Sequence, residues 1–425
     1  MIAATTTALL VGLVLSLPVG AVLFVLGVGI DVFYSPFPLI RGLGQVVWSA
    51  TNSSLLIAIP FFVLLGEILV RGGIAERTYR ALDAWLAWLP GGLVHANIGT
   101  ATMFSATSGS SVATAATVAT VAMPQAKTLG YDPRLFAGAI AAGGTLGIMI
   151  PPSINLIVYG FLTETSIPRL FLAGLVPGLL LALGFMAVAA LLCAARPALG
   201  GPSRRASWRE RRAGLGDLVP ILLLFGVVVG SIYQGWATPS ESAAIGVAMA
   251  FAIALARGSL STAAVMAALL GTIRITAMIM FVIVGAYFLN YTLASAGLGN
   301  ALRDLLADPA FGPYATLLFI VALYIVLGFF IETLSLMVAT IPIVVPIVAD
   351  LGFDKVWFGI LLILLIEMAL ITPPVGLNLY VVQGARRDGH LGEVMLGALP
   401  FVAVMLAMAA LLILFPGLAL WLPGG

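Results

Sequence analysis

"GTLGIMIPPSINLIVYG" occupies residues 144–160. The run is apolar enough for a membrane, yet two consecutive prolines interrupt it. A second run, "EMALITPPVGLNLYVVQG" at 367–384, repeats the arrangement. Each Pro–Pro pair is followed by an asparagine, Asn155 in the first and Asn378 in the second. Proline removes a backbone N–H, clashes with the preceding turn and biases its predecessor away from the α region. Two in a row leave carbonyls and amides unpaired, which is tolerated at membrane depth only where protein or a water-filled cavity satisfies them. Exposed carbonyls suit a small cation, and N-terminal helix amides suit an anionic oxygen. The asparagine carboxamides add donors and acceptors without formal charge.

Composition sets the class around these breaks. Of 425 residues, 62% are hydrophobic and 8% charged, with mean hydropathy +1.17. A large soluble enzyme would need a more charged surface. Apolar runs such as "AALLGTIRITAMIMFVIVGAYFL" exceed the roughly 20 residues that cross the hydrocarbon. Membrane segments are expected at 8–30, 50–70, 133–160, 168–195, 217–236, 240–256, 262–290, 313–331, 355–383 and 394–422. Ten to twelve crossings plus re-entrant pieces follow from that reading. The runs do not alternate, so they read as helices rather than barrel strands. The first lacks a basic leader and reads as a retained span.

A single cysteine, Cys193, excludes disulfide scaffolding and thiolate metal sites within one chain. With only His95 and His390, a histidine-rich metal site is absent as well. The net charge of +2 says little, but its distribution is uneven: "RPALGGPSRRASWRERR" at 196–212 holds six arginines and one glutamate. The positive-inside rule places this linker in the cytoplasm, with Arg386 and Arg387 marking another such loop. Lying between spans, with Trp208 its one aromatic, the linker suits anionic membrane lipids better than nucleic acid.

The linker falls near the middle, and the halves match across it. Pro124 pairs with Pro346, "LGYD" (129–132) with "LGFD" (351–354), and Pro151–Pro152 with Pro373–Pro374, all 222 residues apart. Asn155 and Asn378 are offset by one more. The loop charges put "LGYD" inside and "LGFD" outside, so the repeat is inverted, a common build of secondary transporters. The fold class expected is an all-α polytopic membrane protein with inverted repeats, two re-entrant helical hairpins and broken helices. The first half is 1–195, with a hairpin at about 97–124 and a broken helix at 133–160. A cytoplasmic linker covers 196–216. The second half is 217–425, with a hairpin at about 329–350 and a broken helix at 355–383.

In the first hairpin region, Ser105, Thr107, Ser108, Gly109, Ser110 and Ser111 form an unusual polar cluster for such a chain. A helical hairpin would hold them at its tip. Ser335 and Thr340 are the matching hydroxyls of the second region, and Pro342 and Pro346 its interruptions. Glu67 has Arg71 four residues on and reads as an ion pair. Glu332 and Glu367 have no nearby base in sequence. An unpaired intramembrane carboxylate faces protein or a cavity, which leaves cation binding, proton uptake or pairing with Arg274 open. Ser240 and Glu241 suit the start of a helix after Pro239. There is no nucleophile elbow, no H-E-x-x-H and no nucleotide-binding P-loop. The reading is therefore not an enzyme, with no cofactor and with energy supplied from outside the chain.

The stretches "AIPFFVLLGEILVRGGI", "SGSSVATAATVATVAMPQAKTLGYD", "GTLGIMIPPSINLIVYG", "RLFLAGLVPGLL", "WATPSESAAIG" and "ITPPVGLNLYVV" resemble the large permease subunit of tripartite ATP-independent periplasmic (TRAP) transporters, the DctM family. They run from about 58 to 383. One departure is "FSATSGSS", where the family commonly has a glycine-rich "FGGxSGSA". The resemblance implies a sodium-coupled elevator, in which a transport domain carrying both hairpins slides against a scaffold. It implies sodium ions as coupling ions near Ser108, Gly109, Ser110, Pro152, Ser153 and Asn155, and near Thr333, Ser335, Pro374, Gly376 and Asn378. An organic acid substrate would lie between the tips, by Ser105, Thr107, Ser108, Asn155 and Asn378. Two partners are implied: a periplasmic substrate-binding protein and a small transmembrane subunit (DctQ-like) on a separate chain.

Overall fold

The structure is a computed structural model that describes residues 7–8, 11–12, 17–35, 38–108, 110–202, 206–297, 312–329, 331–386 and 388–424. Side chains at 105–108 lie outside that description. The fold is all-α. The first half contains α1 (Val19–Tyr34), α2 (Leu43–Thr51), α3 (Ala58–Arg71), α4 (Ile74–Leu86), α5 (Leu93–Ser108), α6 (Ser111–Leu129), α7 (Pro133–Met149), α8 (Ile154–Thr163) and α9 (Ile167–Ala195). The second contains α10 (Trp208–Tyr233), α11 (Pro239–Ala256), α12 (Thr262–Ser295), α13 (Pro313–Gly328), α14 (Thr333–Asp350), α15 (Lys355–Ala369), α16 (Leu377–Arg386) and α17 (Leu391–Leu414).

The "LGYD" and "LGFD" motifs build the same turn twice. Gly130 at φ 70° and Gly352 at φ 88° take left-handed conformations that side chains with a Cβ resist. The aspartates then cap the next helix. Asp132 Oδ1 accepts from the Arg134 and Leu135 amides at 2.9 and 3.0 Å. Asp354 Oδ1 accepts from Val356 and Trp357 at 2.7 and 3.0 Å. The helices so started, α7 and α15, are the centre of the protein: every residue of α7 from Leu135 to Met149 and of α15 from Val356 to Ala369 is buried. A helix apolar all round belongs in such a position. Each runs into its Pro–Pro pair, and both pairs are joined by cis peptide bonds.

Contacts between the halves mirror each other. α6 packs on α16, the helix after the second break, and α14 packs on α8, the helix after the first. α7 lies along α17, and α15 along α9. α3 packs on α11 and α12, and α12 also runs along α1. Arg257 at the end of α11 pairs with Asp217 of α10, which also meets Arg77 of α4 at 3.9 Å.

Several boundaries differ from the sequence reading. Seven helices have the length and composition of a membrane span among the described residues, or eight if α7 and α8, bent by 40°, count as one. The expectation of ten to twelve counted 355–383 as a span, but α15 is only 15 residues long and the chain breaks before α16. Likewise α1 and α13, inside the expected 8–30 and 313–331 segments, have 16 residues each. The arginine-rich linker is already helical from Trp208, because Ser207 and Glu210 form a reciprocal capping box. In the second hairpin region, 333–350 is one helix with Pro342 and Pro346 inside it, and the turn lies before it, between α13 and α14. Thr238, not Ser240, caps α11 with Glu241, while Ser240 Oγ donates to the Ser54 carbonyl at 2.9 Å.

Candidate functional site

Each break is closed by local hydrogen bonds that leave selected groups over. After Pro151–Pro152, Ser153 caps α8, its Oγ accepting from the Leu156 amide at 3.3 Å. Asn155 follows, 3% exposed, and its Nδ2 has no partner among the described residues. After Pro373–Pro374, Gly376 turns the chain at φ 57° and the Asn378 amide donates to the Leu370 carbonyl at 3.1 Å. The Asn378 side chain is fully buried. Its Nδ2 donates to the Ala141 carbonyl of α7 at 3.2 Å, and its Oδ1 is left without a partner among the described residues. One asparagine thus presents a spare donor and the other a spare acceptor.

The two hairpin tips are also alike in construction. Ser110 caps α6 by accepting from the Ala113 amide at 3.3 Å. Glu332, 222 residues later, caps α14 by accepting from the Ser335 amide and hydroxyl at 3.1 and 3.0 Å. Glu332 therefore neither pairs with Arg274 nor sits as a bare intramembrane charge. Glu367 does not meet Arg274 either. It is fully buried in α15, and the polar groups nearest its carboxyl are the backbone amides of Ile148 and Met149.

A cavity of about 220 Å³ joins these pieces. Ser110, Ser111, Val112 and Ala113 bring the first tip to it, and Ile154 and Asn155 the first break. Glu332, Thr333 and Leu334 bring the second tip, with Leu370 and Leu377 from either side of the second break. The opposite wall comes from α3 (Val63, Gly66, Glu67, Val70) and α12 (Ile275, Met278, Ile279). Of the expected site residues, Ser110, Asn155 and Thr333 line the cavity. Pro152, Ser153, Ser335, Gly376 and Asn378 are buried and are not part of its lining, and Pro374 is exposed. Ser105, Thr107 and Ser108 fall in the last turn of α5 with side chains outside the described residues, and Gly109 is outside them altogether.

Sequence reasoning missed the α3–α12 wall. Its residues are ordinary apolar residues in ordinary spans, and only the Glu67–Arg71 pair, at 2.8 Å, marked one of its helices. It also passed over Asn97 of α5, fully buried with both ends of its carboxamide unpartnered, though an amide in so apolar a run was a usable signal. Among the described residues no three His, Cys, Asp or Glu side chains converge as a metal cluster. The oxygens that line or back the cavity are those of carbonyls, hydroxyls, the asparagine carboxamides and the Glu67 and Glu332 carboxylates.

Buried interrupted helices, a cavity at their breaks and a belt of long apolar helices define a polytopic membrane permease. Residues 6–418 match the family described as "Tripartite ATP-independent periplasmic transporter, DctM component", and the chain belongs to that family. It is a multi-pass protein of the bacterial inner membrane, and a permease rather than an enzyme. It is 34% identical to the C4-dicarboxylate TRAP transporter large permease protein DctM of Pseudomonas aeruginosa, over 90% of each chain. It is 32% identical to the sialic acid TRAP transporter large permease protein SiaM of Vibrio cholerae, over 89% of this chain and 88% of the other. Its fold is similar to that of the YdaH transporter of Alcanivorax borkumensis, with TM-score 0.61 at 17% identity, covering 99% of this chain and all of that one.

Proposed function

We propose that this chain is the large transmembrane subunit of a tripartite, sodium-coupled, ATP-independent importer of organic acid anions. The observation that carries the reading is the single cavity shared by both hairpin tips and both breaks, closed on its far side by α3 and α12. The relatives' substrates, C4-dicarboxylate and sialic acid, support an organic acid as cargo. Sodium would order the breaks, with the spare Asn378 Oδ1 as one candidate ligand, and would offset the negative charge of the substrate. Ion and substrate then strengthen each other's binding through a coupling free energy. The helices bearing the tips and breaks form the moving body of an elevator, and α3 and α12 belong to the scaffold. The linker at 196–216 is cytoplasmic. A periplasmic substrate-binding protein delivers the anion, and a small transmembrane subunit completes the membrane part.

The test begins with affinity purification of the tagged chain from its native membrane with periplasmic extract present. The recovered complex is then reconstituted, and uptake of labelled succinate and N-acetylneuraminate is followed with and without an inward sodium gradient. Co-purification of a small multi-span protein and a soluble binding protein, with sodium-driven uptake, is the expected result. Uptake that needs neither partner nor sodium overturns the reading.

A further inference from the structure

The cavity has a charge problem. Its lining among the described residues includes two carboxylates, Glu67 and Glu332, and no lysine, arginine or histidine. Glu332 is engaged as a helix cap. Glu67 is engaged with Arg71, so it does not present a free negative charge. An organic anion entering this space still needs a fixed positive partner, because desolvating an unpaired carboxylate is costly.

One cation stands beside it without a role. Arg274 lies in α12, a 34-residue apolar helix, where an arginine is expensive and marks a functional position by default. It is exposed and makes no ion pair or hydrogen bond among the described residues. Its place on the helix is defined by its neighbours. Gly271, three residues before, abuts Glu67: a Cβ there would stand 2.7–2.9 Å from the Glu67 carboxyl group. Met278, four residues after, lines the cavity. Residues three and four apart share a helix surface, so Arg274 sits at the rim, between the Glu67 contact and the cavity wall.

We propose that Arg274 receives the carboxylate of the transported anion at this rim; the proposal rests on the import reading above. Arg71 neutralises Glu67, so Arg274, one helical turn from the Gly271–Glu67 contact, contributes an uncompensated positive charge beside the cavity wall. The planar guanidinium holds a carboxylate through two parallel hydrogen bonds, which a lysine ammonium cannot reproduce. Glycine at 271 lets the Glu67 carboxyl lie flat against α12, one turn from the site.

The test uses the full transporter in its host membrane, with labelled succinate and N-acetylneuraminate as probes. Arg274→Gln is expected to raise the substrate concentration for half-maximal uptake about tenfold or more, as loss of a charged hydrogen bond does, with the protein at wild-type abundance. Arg274→Lys is expected to fall between. Arg274→Cys supplies a second readout, with the native Cys193 buried. Modification with 2-aminoethyl methanethiosulfonate, which restores a positive charge, is expected to recover uptake, and the sulfonatoethyl reagent is not. Wild-type half-saturation in Arg274→Gln, or equal effects of the two reagents, overturns the assignment of Arg274 alone. Uptake of neither probe by the wild-type transporter overturns the import reading and this proposal with it.

Discussion

The two hairpin tips occupy equivalent places and use the same device, a side-chain oxygen accepting from the third amide of the following helix. At the first tip the oxygen is the neutral hydroxyl of Ser110, and at the second it is the carboxylate of Glu332. The breaks behind them diverge too. Asn155 faces the cavity with a spare donor, while Asn378 is anchored to α7 and keeps a spare acceptor. The duplication therefore fixed the backbone and left the polar chemistry free to differ. That asymmetry is compatible with the proposed binding of a cation and an anion at one site.

The largest expected effect concerns the central helices, where the halves differ in side-chain size at one position. Gly138 of α7 touches the backbone of Gly397 in α17, and a Cβ would overlap it. The equivalent residue 222 positions later is Ile360, fully buried. Gly138→Ala should therefore cost about 3 kcal/mol by overpacking, read as loss of folded protein in detergent on heating. Ile360→Val should cost only about 1 kcal/mol. Equal sensitivity at the two positions would break the comparison.

Next come the asparagines. On the sodium-coupled reading, Asn378→Ala should raise the sodium needed for half-maximal uptake about tenfold. Asn155→Ala should act more on half-saturation by the anion than on sodium. Titration of uptake against each, in turn, separates them. Identical profiles would mean that the spare donor and acceptor do not divide the work.

The caps should give smaller changes. Ser110→Ala and Glu332→Ala each remove a cap worth about 1 kcal/mol, measurable as a lowered midpoint of thermal unfolding. Glu332→Ser should restore most of that stability. If it leaves transport altered, the charge at the second tip matters beyond capping.

The smallest effect lies on the surface, where Lys127 of α6 meets Asp388 at 3.1 Å. Lys127, with Arg386 adding to it, holds the Asp388 carboxyl below its usual range. A depressed value adds stability above the ordinary carboxylate range and loses it as pH falls through the folded value. Lys127→Ala should lower stability slightly at neutral pH, shrink the acid-side slope by the same small amount because exposed pairs contribute little, and leave stability below the carboxylate range unchanged. Unfolding midpoints across acid pH read this directly.

Much of this architecture was readable in the chain. The matching "LGYD" and "LGFD" marked the start of both central helices, since the turn there needs the glycine and the cap needs the carboxylate. The proline pairs marked where those helices stop. Pro342 and Pro346 misled because α14 is held by tertiary packing, with Leu336, Met337, Val338, Val344 and Val345 buried, which outweighs local proline penalties. The arginine-rich stretch read as a linker through residue 216, although Ser207 and Glu210 already spelled a capping box. The cavity wall was illegible for a different reason. Val63, Ile275 and Met278 do nothing locally that other apolar residues do not, and only the packing of α3 against α12 makes them a surface.

That surface has a mechanical consequence. Apart from Glu67, the wall that α3 and α12 turn toward the tips consists of Val63, Gly66, Val70, Ile275, Met278 and Ile279, side chains that form no directional bonds. Dispersion contacts are many, weak and interchangeable. A body moving parallel to such a face trades one set of contacts for another with little change in energy along the way. On the elevator reading proposed above, the wall would act as a bearing that guides the tips without gripping them, with Glu67 the one charged side chain that α3 and α12 bring to it among the described residues.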